Sequence, residues 1–168
     1  MRSLLQQQRS IRIFSRHIKL RHERNNFLLA LTAHIVQRLI GDAPLTINIV
    51  KHFVNSSTRG MTRIMRDGQV NVEVLGKFYT AARKGKRDDV LMYIRILVHE
   101  LTHVKQHLDG RPFGVTLDDP HYFQNMAEHE AKLSEAHTSE AMGRLLDNFT
   151  RMKKDLEHEF ELLDCTRK

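Results

Sequence analysis

Apolar residues recur at helical spacing between residues 26 and 40, where Phe27, Leu28, Leu31, Ile35 and Leu39 form one stripe and Gly41 follows. This pattern predicts an amphipathic helix that stops at the glycine. The period then changes. Leu45, Ile47 and Ile49 alternate with polar residues, so the stretch 45–54 begins as a strand. Residues 61–66 and 69–75 flank Asp67-Gly68, and Val70, Val72 and Val74 oppose Asn71 and Glu73. Both residues of an Asp-Gly pair tolerate positive φ, which predicts a tight hairpin turn between two half-buried strands. Residues 76–87, GKFYTAARKGKR, read as a mobile basic connection.

A second long helix is expected from about 90 to 108, with Asp88 and Asp89 as N-cap candidates and Asp109-Gly110 as its end. Ile94, Leu97, Leu101, Val104 and Leu108 supply its buried face. Residues 110–119 read as a loop. Asp119-Pro120 then opens a further helix, with a capping side chain followed by proline at the first helical position. Helical patterning continues to about 163, with a break expected near 137–143, and Leu145, Phe149, Met152, Leu156, Phe160 and Leu163 form a core stripe. Residues 3–22 read as a basic amphipathic helix. The expected class is α+β: an N-terminal helix, a small antiparallel sheet with a hairpin, a central helix and C-terminal helices.

Composition narrows the possibilities. A chain of 168 residues without internal repeats or a Pro/Gly/Ser linker suits one domain. No apolar run approaches the length that crosses a bilayer, and the N-terminus lacks the continuous apolar stretch of a secretory signal. The single cysteine, Cys165, has no internal partner for a disulfide, so a reducing, cytoplasmic setting is expected. Of the net charge of +7, +6 comes from residues 1–24, where Arg2, Arg9, Arg12, Arg16, Lys19, Arg21 and Arg24 face Glu23 alone. This divides the chain into a basic arm, 1–24, and a nearly neutral domain, 25–168. Attraction to nucleic acid or another anionic surface is therefore expected from the arm.

The chemistry lies in the second long helix. His99-Glu100-Leu101-Thr102-His103 fits H-E-x-x-H. On a helix, positions i and i+4 share a face, so two imidazoles can bind one tetrahedral zinc ion. Glu100 is about 100° round the helix from His99, free to serve as general base towards a metal-activated water. Histidines and a glutamate close to a core need partners, because unpaired polar groups are costly there. Catalytic zinc takes three protein ligands. Glu128, on the next predicted helix, is the first candidate for the third, and His121 is its rival. Glu130 points to a different face. A transition-state oxyanion needs a further donor, for which Tyr122 and His121 are the candidates. Tyr79 and Tyr93 read as packing residues.

The segments VHELTHVKQ and AEHEAK resemble the small HExxH metallopeptidases common in phages and bacteria, and more broadly the gluzincins, whose third ligand is a glutamate. The resemblance covers roughly residues 90–136. It implies a minimal zincin-like domain, a zinc cofactor, hydrolysis of peptide bonds in a protein or peptide substrate, and a strand beside the cleft. It selects Glu128, three before Ala131, as the ligand. A phage origin would imply host cytoplasm or virion. Pro120-His121-Tyr122-Phe123 is similar to an element of SprT-like metalloproteases, which implies a histidine third ligand and a DNA-associated role.

An active peptidase would use the strand at 69–75 to pair with extended substrate. The competing expectation is a nucleic-acid or scaffold-binding module in which the arm matters and zinc is structural or absent. Structural zinc sites favour cysteine and four protein ligands, which this chain does not offer near HELTH.

Overall fold

In the computed structural model, the described residues are 11–15, 22–111 and 125–146. Strand β1, Ile11–Ser15, is followed by helix α1, His22–Ile40, and strand β2, Leu45–Val50. β1 and β2 pair in parallel. Parallel neighbours need a long crossover, which α1 supplies. Residues 11–15 are thus strand where helix was expected, because Ile11 to Ser15 find backbone partners in Leu45 to Ile49.

Strands β3, Gly60–Ile64, and β4, Val70–Leu75, form the predicted hairpin. Its turn is longer than an Asp-Gly turn. Met65 N–H donates to the Gln69 carbonyl at 2.8 Å and Gly68 N–H to the Met65 carbonyl at 2.9 Å. Only Gly68 takes positive φ, +81°, so Arg66, Asp67 and Gly68 make a three-residue loop with glycine in the left-handed position.

The sheet order is β1-β2-β4-β3. β2 and β4 pair in parallel while β3 is antiparallel to β4. The expected antiparallel sheet is therefore mixed. β4 is flanked on both sides, and β3 is an edge strand among the described residues. Val70, Val72 and Val74 are buried on β4, as their alternation predicts.

Helix α2, Gly76–Ala82, occupies most of the expected connection. Its Tyr79 and Ala82 are fully buried, and this packing holds a segment whose basic composition reads as loop. The Tyr79 ring meets Tyr93 edge-on at 5.7 Å, and burial pushes its pKa up to about 12. Tyr93 donates to Thr32 Oγ1 at 2.8 Å, because that hydroxyl gives its own proton to the Leu28 carbonyl.

Helix α3, Arg87–Leu108, is the central element, packed against α1, α2, β3 and β4. Asp88 and Asp89 lie in its first turn, where they complement the helix dipole rather than cap it. Val90, Tyr93, Ile94, Leu97, Val98, Leu101 and Val104 are buried, whereas Leu108 is exposed in the last turn. Gly110, with φ +69°, closes the end as its position predicts.

Helix α4, Met126–Leu146, packs along α3. Asn125 caps it, its Oδ1 accepting from Ala127 N–H at 2.9 Å. The helix that carries Glu128 thus starts at Met126, and it runs unbroken through 137–143. The expected helix start at Asp119-Pro120, the stripe from Phe149 to Leu163 and Cys165 lie outside the described residues. No described helix is long and apolar enough to cross a membrane.

Candidate metal centre

Helical spacing fixes the first half of the site. His99 and His103 lie one turn apart on α3 with ring centroids 4.9 Å apart and planes at 83°. Their Nε2 atoms are 3.3 Å from each other. Glu128, in the first turn of α4, reaches both: Oε2 lies 3.3 Å from His99 Nε2 and Oε1 3.2 Å from His103 Nε2. His103 and Glu128 are buried. These three residues form a group among the described residues that could hold a metal ion.

The separations agree with a tetrahedral ion. Zinc–nitrogen distances of about 2.0–2.1 Å at tetrahedral angles put neighbouring donors about 3.3–3.4 Å apart. The His-His-Glu triangle has the size of one tetrahedral face, so the residues fit a metal ion.

The other ring nitrogens face oxygens. His103 Nδ1 is 2.8 Å from Gln106 Oε1. His99 Nδ1 is 3.6 Å from Glu135 Oε2, and the other Glu135 oxygen accepts from Arg95 Nε at 2.9 Å. An acceptor at Nδ1 puts the proton there and leaves the Nε2 lone pair for a metal. Without a metal the site attracts protons. Burial alone would lower the His99 pKa, but hydrogen bonding to Glu128 and Glu135 and the nearby Glu100 charge outweigh it and raise it to about 9. His103 is raised against the same desolvation by Glu128, Gln106 and Glu100. Positive charge, as proton or metal ion, is stabilised here.

Glu100 meets strand β3. Its Oε2 and its backbone carbonyl each lie 2.9 Å from Thr62 Oγ1 and share its single proton. Gly60 makes this approach possible: a Cβ there would lie 2.8 Å from Glu100 Cγ and Oε1 and 2.9 Å from Ile96 Cγ2. Burial raises the Glu100 pKa, while His99, His103 and Thr62 act in the opposite direction. Leu101 is core, and Thr102 is satisfied by the Val98 carbonyl at 2.9 Å. Every position of HELTH thus has a distinct environment.

Sequence reasoning brings forward His99, Glu100, His103 and Glu128, and the structure gathers all four. His121 and Tyr122 lie outside the described residues. Glu130, expected on another face, pairs with Arg111 at 2.7 Å. The sequence assigns no role to Gly60, Thr62, Arg95 or Glu135, and marks Gln106 only as the end of the VHELTHVKQ motif. Gln106 follows His103 by three residues and Glu135 follows Glu128 by seven, spacings that share a helix face. Nothing local in β3 signals that Thr62 meets Glu100. Comparison with family models, curated proteins and solved structures finds no match for this chain.

Proposed function

We propose that this chain is a zinc-dependent metallopeptidase of the gluzincin type, with His99, His103 and Glu128 as ligands and Glu100 as general base. The observation that supports it most is the convergence of both HELTH imidazoles on the Glu128 carboxylate at 3.2–3.3 Å, with a second buried carboxylate beside them. Two imidazole nitrogens and one carboxylate oxygen form a donor set that suits zinc. A zinc ion bound there would acidify a water and polarise a substrate carbonyl.

Glu100 would take the proton from the attacking water and return it to the leaving amine. Its raised pKa suits a group that must hold and then release that proton. Thr62 keeps the carboxylate turned to one side. Substrate pairing, expected on the strand at 69–75, moves on this reading to β3, since β4 already has neighbours on both edges. An extended peptide adding to β3 would run beside Glu100. Glu128 meeting both histidines favours this reading over the SprT-like one with His121. Protein or peptide substrates, a cytoplasmic setting and anionic partners for the arginines of residues 1–24 complete the proposal.

The test is Glu100→Gln, with denatured casein as substrate. The variant should keep its zinc and lose about a hundredfold or more in kcat, because an amide cannot accept the proton. A zinc-loaded Gln variant as active as wild type would remove the general-base role. A zinc-loaded wild type that leaves denatured casein intact would count against the peptidase reading.

A further inference from the structure

Gln106 is almost completely buried, yet it is neither a ligand nor a base in the reading above. Its amide has three neighbours. Nε2 donates to the Ala127 carbonyl at 3.0 Å and to Glu130 Oε2 at 2.9 Å. Oε1 lies 2.8 Å from His103 Nδ1. Glu130 is itself held by Arg111, whose Nη1 and Nη2 lie 2.7 and 3.2 Å from its two carboxylate oxygens.

This network fixes which end of the amide faces the histidine. Turned over, the amide oxygen would meet a carbonyl and a carboxylate, and all three are acceptors only. Oε1 must therefore face His103, so Nδ1 must carry a proton and donate it. In the neutral imidazole that leaves the Nε2 lone pair directed at Glu128 and His99.

From this geometry we infer that Gln106 is a positioning residue for the metal, selecting the Nε2-binding tautomer of His103 under the control of the Arg111–Glu130 pair. The inference rests on the His99-His103-Glu128 metal reading. It adds a function for the i+3 glutamine and for a half-exposed ion pair, at 41–45% side-chain exposure. The chain runs from Arg111 through Glu130 and Gln106 to His103, and so links the end of α3 and the start of α4 to the metal ligand.

Zinc affinity, measured by competition with a chromophoric chelator, tests it without any substrate. Gln106→Leu removes the acceptor at Nδ1 and should weaken zinc binding about 10–100-fold, as loss of an outer-shell partner does. Gln106→Glu keeps an acceptor for His103 but sets two carboxylates against each other, so it should also bind zinc poorly. Adding Glu130→Gln to Gln106→Glu restores a donor between the two side chains, while the Ala127 carbonyl still faces a carboxylate oxygen, so affinity should recover in part, several-fold above Gln106→Glu. A role in packing alone predicts no such rescue.

Thermal melts in excess chelator establish that each variant folds. The double variant retains the pairing between positions 106 and 130, so it keeps the test open if Gln106→Leu fails to fold. Wild-type affinity in Gln106→Leu, or a folded double variant as weak as Gln106→Glu, would overturn the inference while leaving the metal site standing. A wild-type chain that takes up no zinc would overturn the metal reading and the inference together.

Discussion

Thr62 illustrates how much of the site depends on single side chains. Its hydroxyl lies 2.9 Å from both the carboxylate and the carbonyl of Glu100. Thr62→Val keeps the shape and removes the donor. A hydrogen bond to a charged group contributes about 1.5–3 kcal/mol, so kcat on casein should fall tenfold or more, with zinc content unchanged and Thr62→Ser retaining most activity. Wild-type kcat in the valine variant would show that Thr62 does not orient Glu100. At this scale the sequence is unequally informative. His99 and His103 are legible because helical spacing alone places them on one face. Glu128 is legible through the need for a third ligand and the family likeness, since its distance to the histidines depends on how α4 packs on α3. Thr62 is silent, because its contact spans 38 residues and no local pattern encodes it.

Among the elements, β3 is set against α3 at Gly60. The absent side chain leaves just enough room for Glu100 and Ile96, with clashes at 2.8–2.9 Å for any Cβ. Gly60→Ala must displace the strand or the carboxylate, and such overpacking costs about 1–3 kcal/mol. A domain of this size should lose about 2–4 °C in Tm for each kcal/mol, and casein cleavage should fall with it. An alanine variant that melts and cleaves like wild type would contradict this close approach. Long periodic elements such as α1 and α3 are legible because one face must be apolar. α2 is not, since Lys77 and the basic run that follows the helix, Arg83 to Arg87, mask the two buried positions, Tyr79 and Ala82. β1 is misread as helix because its pairing with β2 is non-local, and five residues within a basic run carry no decisive period. The three-residue turn differs from the expected one because Asp67 accepts from Gln69 N–H instead of adopting positive φ.

Across the whole molecule, a metal ion would cross-link α3 to α4, because its ligands come from both helices. Stability should then depend on metal and on pH together. Without metal, the His99 pKa is about 9, against about 6.5 in an unfolded chain. The stabilisation from its proton is complete below pH 6.5 and is lost as pH rises through 9. Zinc must displace that proton, so the rise in Tm between chelator-treated and stoichiometrically zinc-loaded protein should widen from pH 6.5 to pH 9. An increment that stays flat over that range would exclude competition between proton and zinc at His99. The basic arm also looks different at this scale. Residues 11–15 contribute a strand beside β2, so experiments on its charge should replace arginines and leave the strand in place.

The most direct measurement is the zinc content of the purified chain beside His99→Ala, His103→Ala and Glu128→Ala. Two imidazoles alone hold zinc weakly, and the third donor completes the site. Wild type should carry close to one zinc per chain, and each variant should lose most of it under the same dialysis. Equal zinc in wild type and Glu128→Ala would contradict the three-ligand site on which the account rests.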